Sequence, residues 1–360
     1  MKKLMTIALL VALAGEGTAA ATAEAGKNCY DVIYGVPGTD YAQMIKDHPE
    51  EWNFRFRPYG KSSEWLWSDS NVRRVIEGDT DADRKVTALR VSCSEDGFDV
   101  LVYCSEPGLR TYLEKGDAVP RARIEYFIAP DDADTRSVQR HYMGLYGYRK
   151  NSYYSNQVYD RTYRDAVPVI TETPLESATV VKFHYDWRSF WDLMPTFPQK
   201  ADNFWRLSII RWACGGMTWG GTVHKNSRAG YIRWPAFTPA QRTAILRRTL
   251  EKGYEEFRDL AMSDNRYAVE PQTKILDWKF RAELEAKRPQ SYVSANMDPG
   301  FRAELEQMVE ERKALAPGIA KLGEMDAEEQ ERFYRDAADK LFNFRLDVQA
   351  RYARYLTKKL

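Results

Sequence analysis

The chain has 360 residues, enough for two domains of ordinary size, since one core commonly serves about 100 to 200 residues. Its 53 basic and 52 acidic side chains leave a formal net charge of +1. With no basic stripe, nucleic acid is excluded as the expected ligand. Aromatic content is 13%, with 22 Tyr and 10 Trp. Flat amphipathic rings suit sugar faces, and they equally suit a β-rich core.

At the N-terminus, Lys2 and Lys3 precede an apolar run from Leu4 to Ala14, and small residues follow from Gly15 to Ala25. This three-part layout predicts a signal peptide over residues 1–23, with cleavage after Ala23 or Ala20. The run is shorter than the roughly 20 residues of a membrane span, so no span is expected in the mature chain. The expected location is secreted, periplasmic or cell surface, by way of a Sec signal peptide. Four cysteines remain after export, Cys29, Cys93, Cys104 and Cys214. Three complete disulfide pairings are open, as are buried free thiols.

Residues 24–85 read as an irregular segment that packs on a sandwich, broken by Gly35, Pro37, Gly38 and Pro58. From Val86 the pattern becomes two-residue alternation. Leu89, Val91 and Cys93 point one way, and Val100, Val102 and Cys104 follow beyond a Glu95-Asp96-Gly97 turn. A tight hairpin there is expected to set Cys93 opposite a residue near Val100. Ile124, Tyr126 and Ile128 keep the period, as do Val181, Phe183 and Tyr185. Strands at Leu207 to Trp212 and Tyr231 to Trp234 finish the set. The predicted fold is mainly β with an α-helical extension: an antiparallel β-sandwich over 86–237, then a helical region over 238–360.

The helical start is well marked, because Thr238-Pro-Ala-Gln241 is a capping box with proline at the first helical position. Leu246, Leu250, Phe257 and Leu260 then share a stripe. A weaker helix is expected over Thr273 to Arg288. Asp298-Pro299 opens another, with Phe301, Leu305 and Met308 aligned. Asp326 opens a long one in which Phe333, Ala337, Leu341, Phe344, Val348 and Tyr352 recur. These stripes must pack on one another, on the sandwich, or on a helix-bound partner or second copy.

Four segments resemble family 9 carbohydrate-binding modules, in order, over about residues 79 to 235. Val86 to Tyr103 is similar to the family's early hairpin. Ile124-Glu-Tyr-Phe-Ile-Ala-Pro-Asp131 resembles its V-E-x-F-I-D-P-D strand, and Val181 to Trp187 with Phe190 resembles the strand ending in Trp and a turn of helix. Asn203 to Trp234 resembles the closing N-F-x-R strand and Trp-bearing loop. The resemblance implies a sugar-binding sandwich. The family's two-ring sugar clamp is matched at Trp219, whereas Val119-Pro120 stand where the other Trp is expected.

A replacement ring could come from the segment Tyr142 to Tyr163. There Tyr146, Tyr148, Tyr153 and Tyr154 interleave with Arg149, Lys150, Asn151 and Asn156, offering stacking faces beside hydrogen-bonding groups. His224, five residues after Trp219, completes the candidate carbohydrate-binding set: Trp219, Tyr146, Tyr148, Tyr153, Tyr154, Arg149, Asn156 and His224.

No cofactor is required on this reading. The resemblance adds structural calcium, with Asp131, Asp132 and Asp134 as candidate ligands. The Asp79-x-Asp81-x-Asp83 run is not an EF-hand, since its twelfth position is Arg90. No H-E-x-x-H or G-x-S-x-G motif occurs. The expected function is a secreted non-catalytic carbohydrate-binding protein, taking poly- or oligosaccharide and acting beside polysaccharide degradation. Two alternatives stay open: a glycoside hydrolase or lyase with an unrecognised carboxylate site, and an envelope structural protein that kept the fold without the sugar.

Overall fold

The computed structural model describes residues 28–58, 87–105, 124–129, 142–146, 157–158, 168–176, 178–194, 203–211, 217–220, 229–262 and 299–359. Its β part is two facing sheets, as expected from the alternation. The N-terminal stretch contributes β1 (Cys29–Asp31), β2 (Ile33–Tyr34), helix α1 (Tyr41–Asp47) and β3 (Arg57–Pro58). The hairpin is β4 (Thr87–Ser94) with β5 (Gly97–Ser105), followed by β6 (Ile124–Ala129), β7 (Tyr142–Tyr146), β8 (Gln157–Val158) and β9 (Val169–Pro174). Then come β10 (Ala178–Asp186), β11 (Phe204–Arg211), β12 (Met217–Trp219) and β13 (Gly230–Arg233).

The larger, eight-stranded sheet runs β1-β13-β11-β6-β7-β8, with β12 also on β11 and β3 on β12; the smaller runs β2-β4-β5-β10-β9. Residues 28–58 do more than cover an edge. One extended stretch pairs in parallel with β13 through Cys29 to Asp31, then crosses to pair in parallel with β4 through Ile33 and Tyr34. Tyr30 and Val32 are buried in the crossing, so this strap ties the two sheets together.

Inward-facing residues of both sheets make the core, as the period of two requires. Leu89, Val91, Phe98, Val100, Phe183 and Tyr185 on one side meet Ile124, Tyr126, Trp205, Leu207, Ile209 and Ile232 on the other. The hairpin turn is tighter than expected, because Ser94 pairs directly with Gly97. Cys93 lies opposite Phe98, two residues from Val100, while Cys104 lies opposite Thr87. Those two cysteines are about 20 Å apart along the ladder, at about 3.3 Å per residue, which rules out a disulfide between them.

The helical region is α2 (Pro239–Met262), α3 (Pro299–Lys313), α4 (Ala316–Ala320), α5 (Ala327–Phe342) and α6 (Phe344–Lys359). The capping box at the start of α2 is present: Gln241 N donates to Thr238 Oγ1 at 3.2 Å, and Thr238 N to Gln241 Oε1 at 2.9 Å. Leu246, Leu250 and Phe257 are buried, and so are Phe301, Leu305 and Met308. The long helix expected from Asp326 instead breaks at Asn343, which ends α5 and starts a new turn. The helix expected over 273–288 lies outside the described residues, as does Trp212.

These helices share the sandwich core. Trp191, just after the Trp187–Phe190 turn, stacks on Phe342 of α5 at 5.5 Å, and the Tyr334 hydroxyl donates to Trp191 O at 2.9 Å. Charges secure the same junction. Arg248 Nε reaches Asp96 Oδ1 at 2.7 Å, and Lys252 Nζ reaches Asp96 O and Asp186 Oδ2, each at 2.9 Å. Among the described residues no helix is long and apolar enough to cross a membrane.

Candidate functional site on the outer face of the larger sheet

The middle of the larger sheet is where the two sequence-predicted segments depart. Tyr146, the last residue of β7, pairs with Ile124, which pairs with Arg211, which pairs with Met217 of β12. The tyrosine-rich segment and the Trp219 loop thus belong to strands of one sheet, separated by β6 and β11. Beyond Tyr146, whose side chain is not among those described, Tyr148, Arg149, Tyr153, Tyr154, Asn156 and His224 lie outside the described residues. So do Lys150, Asn151, Val119, Asp131, Asp132, Asp134 and Cys214.

Trp219 corrects an expectation. A stacking platform cannot lie in the core between the two sheets, and that is where the Trp219 side chain is packed. Its ring lies over Gly230, where a Cβ would come within 2.7 Å of Cζ3. The chain turns away just beyond it at Gly220, whose φ of +92° and whose Cβ position, 2.4 Å from Gly230 N, both demand glycine. Trp219 is a core residue holding the junction of β12 and β13, and it offers sugar no face.

The outward-pointing residues of the same strands are more informative. Trp205, Leu207 and Ile209 face the core, so Arg206, Ser208 and Ile210 face out, beside Glu125 and Phe127 of β6. Tyr231 and Thr218 flank them, paired with Arg206 and Ile210. All seven are buried although they point away from the core between the sheets. The Arg206 guanidinium sits 5.1 Å from the Tyr231 ring centre, and Phe204 meets that ring edge-on at 6.0 Å. Ser208, 0% exposed, has no hydrogen-bond partner for its Oγ. The lane beside it is interrupted, since β12 ends opposite Ile209 and β13 begins opposite Leu207.

This surface combines two rings, a guanidinium, a carboxylate and two hydroxyls in an enclosed setting, where polar contacts count for more than in water. Sequence alternation alone could have singled out Arg206 and Ser208, because a strand as apolar as β11 does not place an Arg and a Ser on one face without a polar neighbour. Among the described residues no group of three or more His, Cys, Asp or Glu gathers to hold a metal.

The class these features define is a two-sheet sandwich fused to a helical layer, with a polar-aromatic outer face. No protein-family description matches the chain, and no curated protein matches it. Among solved structures, one similar chain is a family 9 carbohydrate-binding module from Caldicellulosiruptor kristjanssonii in complex with glucose. It is 12% identical with a TM-score of 0.36, over 59% of this chain and 98% of that one.

Proposed function

We propose that the protein is an exported, non-catalytic carbohydrate-binding protein whose sugar site is the outer face of its larger sheet. The observation that carries this reading is the enclosed set Glu125, Phe127, Arg206, Ser208 and Tyr231, built on adjacent strands. A sugar ring presents apolar C–H faces ringed by hydroxyls, so its recognition needs aromatic surface beside groups that donate and accept. Arg206 donates, Glu125 accepts, and Ser208 does both. The ordered family resemblance of the sequence supports the same ligand class. The poly- or oligosaccharide it takes comes from polysaccharide breakdown outside the cell.

The test is a glycan array on the mature protein, with product analysis and with calcium present or chelated. Retention of a glycan without cleavage supports the reading. Cleaved product assigns a glycoside hydrolase or lyase instead, and silence across the array leaves the envelope-protein alternative. Export is tested separately by N-terminal mass measurement of protein recovered outside the cytoplasm, which should begin near Glu24.

A further inference from the structure

The outer face of the larger sheet is buried at its middle and open at one corner. Strand register carries that face one row beyond Arg206 and Tyr231. Phe204 pairs with Arg233, and Arg233 pairs with Asp31 of the strap, so these three side chains point outward with Arg206 and Tyr231. Exposure rises toward that row. Ser208 is 0% exposed, Tyr231 2% and Arg206 6%, Phe204 is half-buried, and the Arg233 and Asp31 side chains are 44% and 65% exposed. Cys29, opposite Tyr231 on the same face, is exposed as well.

The corner follows from the path of the chain. β11 begins at Phe204 and β13 ends at Arg233, so their pair is the last row of these two strands. There the strap leaves for the smaller sheet, with Val32 N donating to Arg233 O at 2.8 Å. Among the described residues no strand lies outside β1. Ring contacts join the outer row to the inner one. Phe204 meets the Tyr231 ring edge-on at 6.0 Å, and the Arg206 guanidinium lies 5.1 Å from the centre of that ring. Beside them Arg233 holds Asp31 through two parallel hydrogen bonds, Nε to Oδ1 at 2.5 Å and Nη2 to Oδ2 at 2.6 Å.

Successive outward rows lie about 7 Å apart along a strand, which is the span of one sugar unit. A unit next to one held by Arg206, Ser208 and Tyr231 therefore falls on the Phe204 row. The chemistry there is of the same kind: an aromatic ring for C–H groups, beside a flat fork that donates through its guanidinium and accepts through its carboxylate. The two charges of the fork cancel, which suits hydroxyls better than a charged sugar. We infer that the glycan enters at this corner, and that Phe204, Arg233 and Asp31 form an outer subsite for a neutral sugar unit. This rests on the sugar reading and adds the course of the glycan, from the buried Ser208 row out toward the strap.

The exposed Cys29 places a probe at the entrance. Reduced mature protein labelled with a polyethylene glycol maleimide should lose its retention of every glycan on the array. Cys29→Ser treated in the same way should bind as the wild type does, which controls for labelling of other thiols. Should the label unseat the strap, read as a lowered Tm, Arg233→Ala carries the test. It should weaken retention of disaccharides and longer glycans by about five- to tenfold, and more than that of monosaccharides, the scale of one or two hydrogen bonds. Undiminished retention by labelled protein, or a loss in Arg233→Ala no greater for disaccharides than for monosaccharides, overturns this inference alone. An array on which the unlabelled protein retains nothing overturns the sugar reading and this inference with it.

Discussion

The Trp219 indole packs over Gly230 so closely that a methyl group at Gly230 would press into the ring at 2.7 Å and meet Asn28 O at 3.0 Å. Each residue requires the other. Gly230→Ala should destabilise by about 1–3 kcal/mol through overpacking, and Trp219→Ala by about 3–5 kcal/mol through the cavity it leaves. Chemical denaturation would read both, and the double variant Trp219→Ala/Gly230→Ala should cost less than their sum. Full additivity would mean that the contact is unimportant.

Arg211 is a second buried anchor, and it crosses between the sheets. From β11 it donates to Ser105 O at 2.7 Å and to Thr87 Oγ1 at 3.2 Å on the smaller sheet, with no exposed surface. Arg211→Ala should lower stability by about 2–4 kcal/mol, since it leaves these acceptors buried without their donor. Arg211→Lys, a point charge without the fork, should recover less than half of the loss in the same denaturation experiment.

The helical layer cannot be removed cleanly. Trp191, Phe190 and Trp187 lean on α2 and α5, and the sandwich and helices form one apolar cluster. Truncation after Phe237 should yield protein that fails to fold or aggregates, read as loss of a cooperative melt. A truncated chain that melts cooperatively near the wild-type temperature would show two independent units.

Acid should loosen that same junction. The Arg248 hydrogen bond, with help from Lys252, holds the Asp96 carboxyl below the usual carboxylate range, and partial burial opposes them. A depressed folded pKa means the contribution is fully present above the unfolded value and is lost as pH falls through the folded one. The window therefore lies below about pH 4. Asp96 and Arg248 are substantially exposed, so solvent screening limits the effect to about 0.5–1 kcal/mol. Asp96→Asn should remove that amount at neutral pH and flatten this part of the acid dependence, measured as Tm against pH.

Much of this architecture was legible in the residues. The two-residue alternation of Leu89 to Cys93 and of Ile124 to Ile128 identified inward faces correctly, because each strand buries one side. The Thr238 capping box marked α2 because its two hydrogen bonds are local. What was not legible depended on distant partners. Cys29 to Tyr34 pair with strands at residue 231 and residue 92, and short parallel pairing leaves no local signature. Trp219 showed the same limit: a Trp beside two glycines reads as an exposed loop ring until Gly230, eleven positions away, is seen to make room for it.

The most direct test of the sugar site is Ser208→Ala, measured for melting temperature and for affinity to the glycan best retained on the array. Ser208 Oγ is buried and unpartnered in the free protein, so its loss should leave the Tm unchanged or slightly higher. Binding should weaken by about five- to tenfold, the scale of one hydrogen bond to a sugar hydroxyl, at about 1–1.4 kcal/mol. Unchanged affinity in a well-folded Ser208→Ala protein would contradict the placement of the sugar on this face.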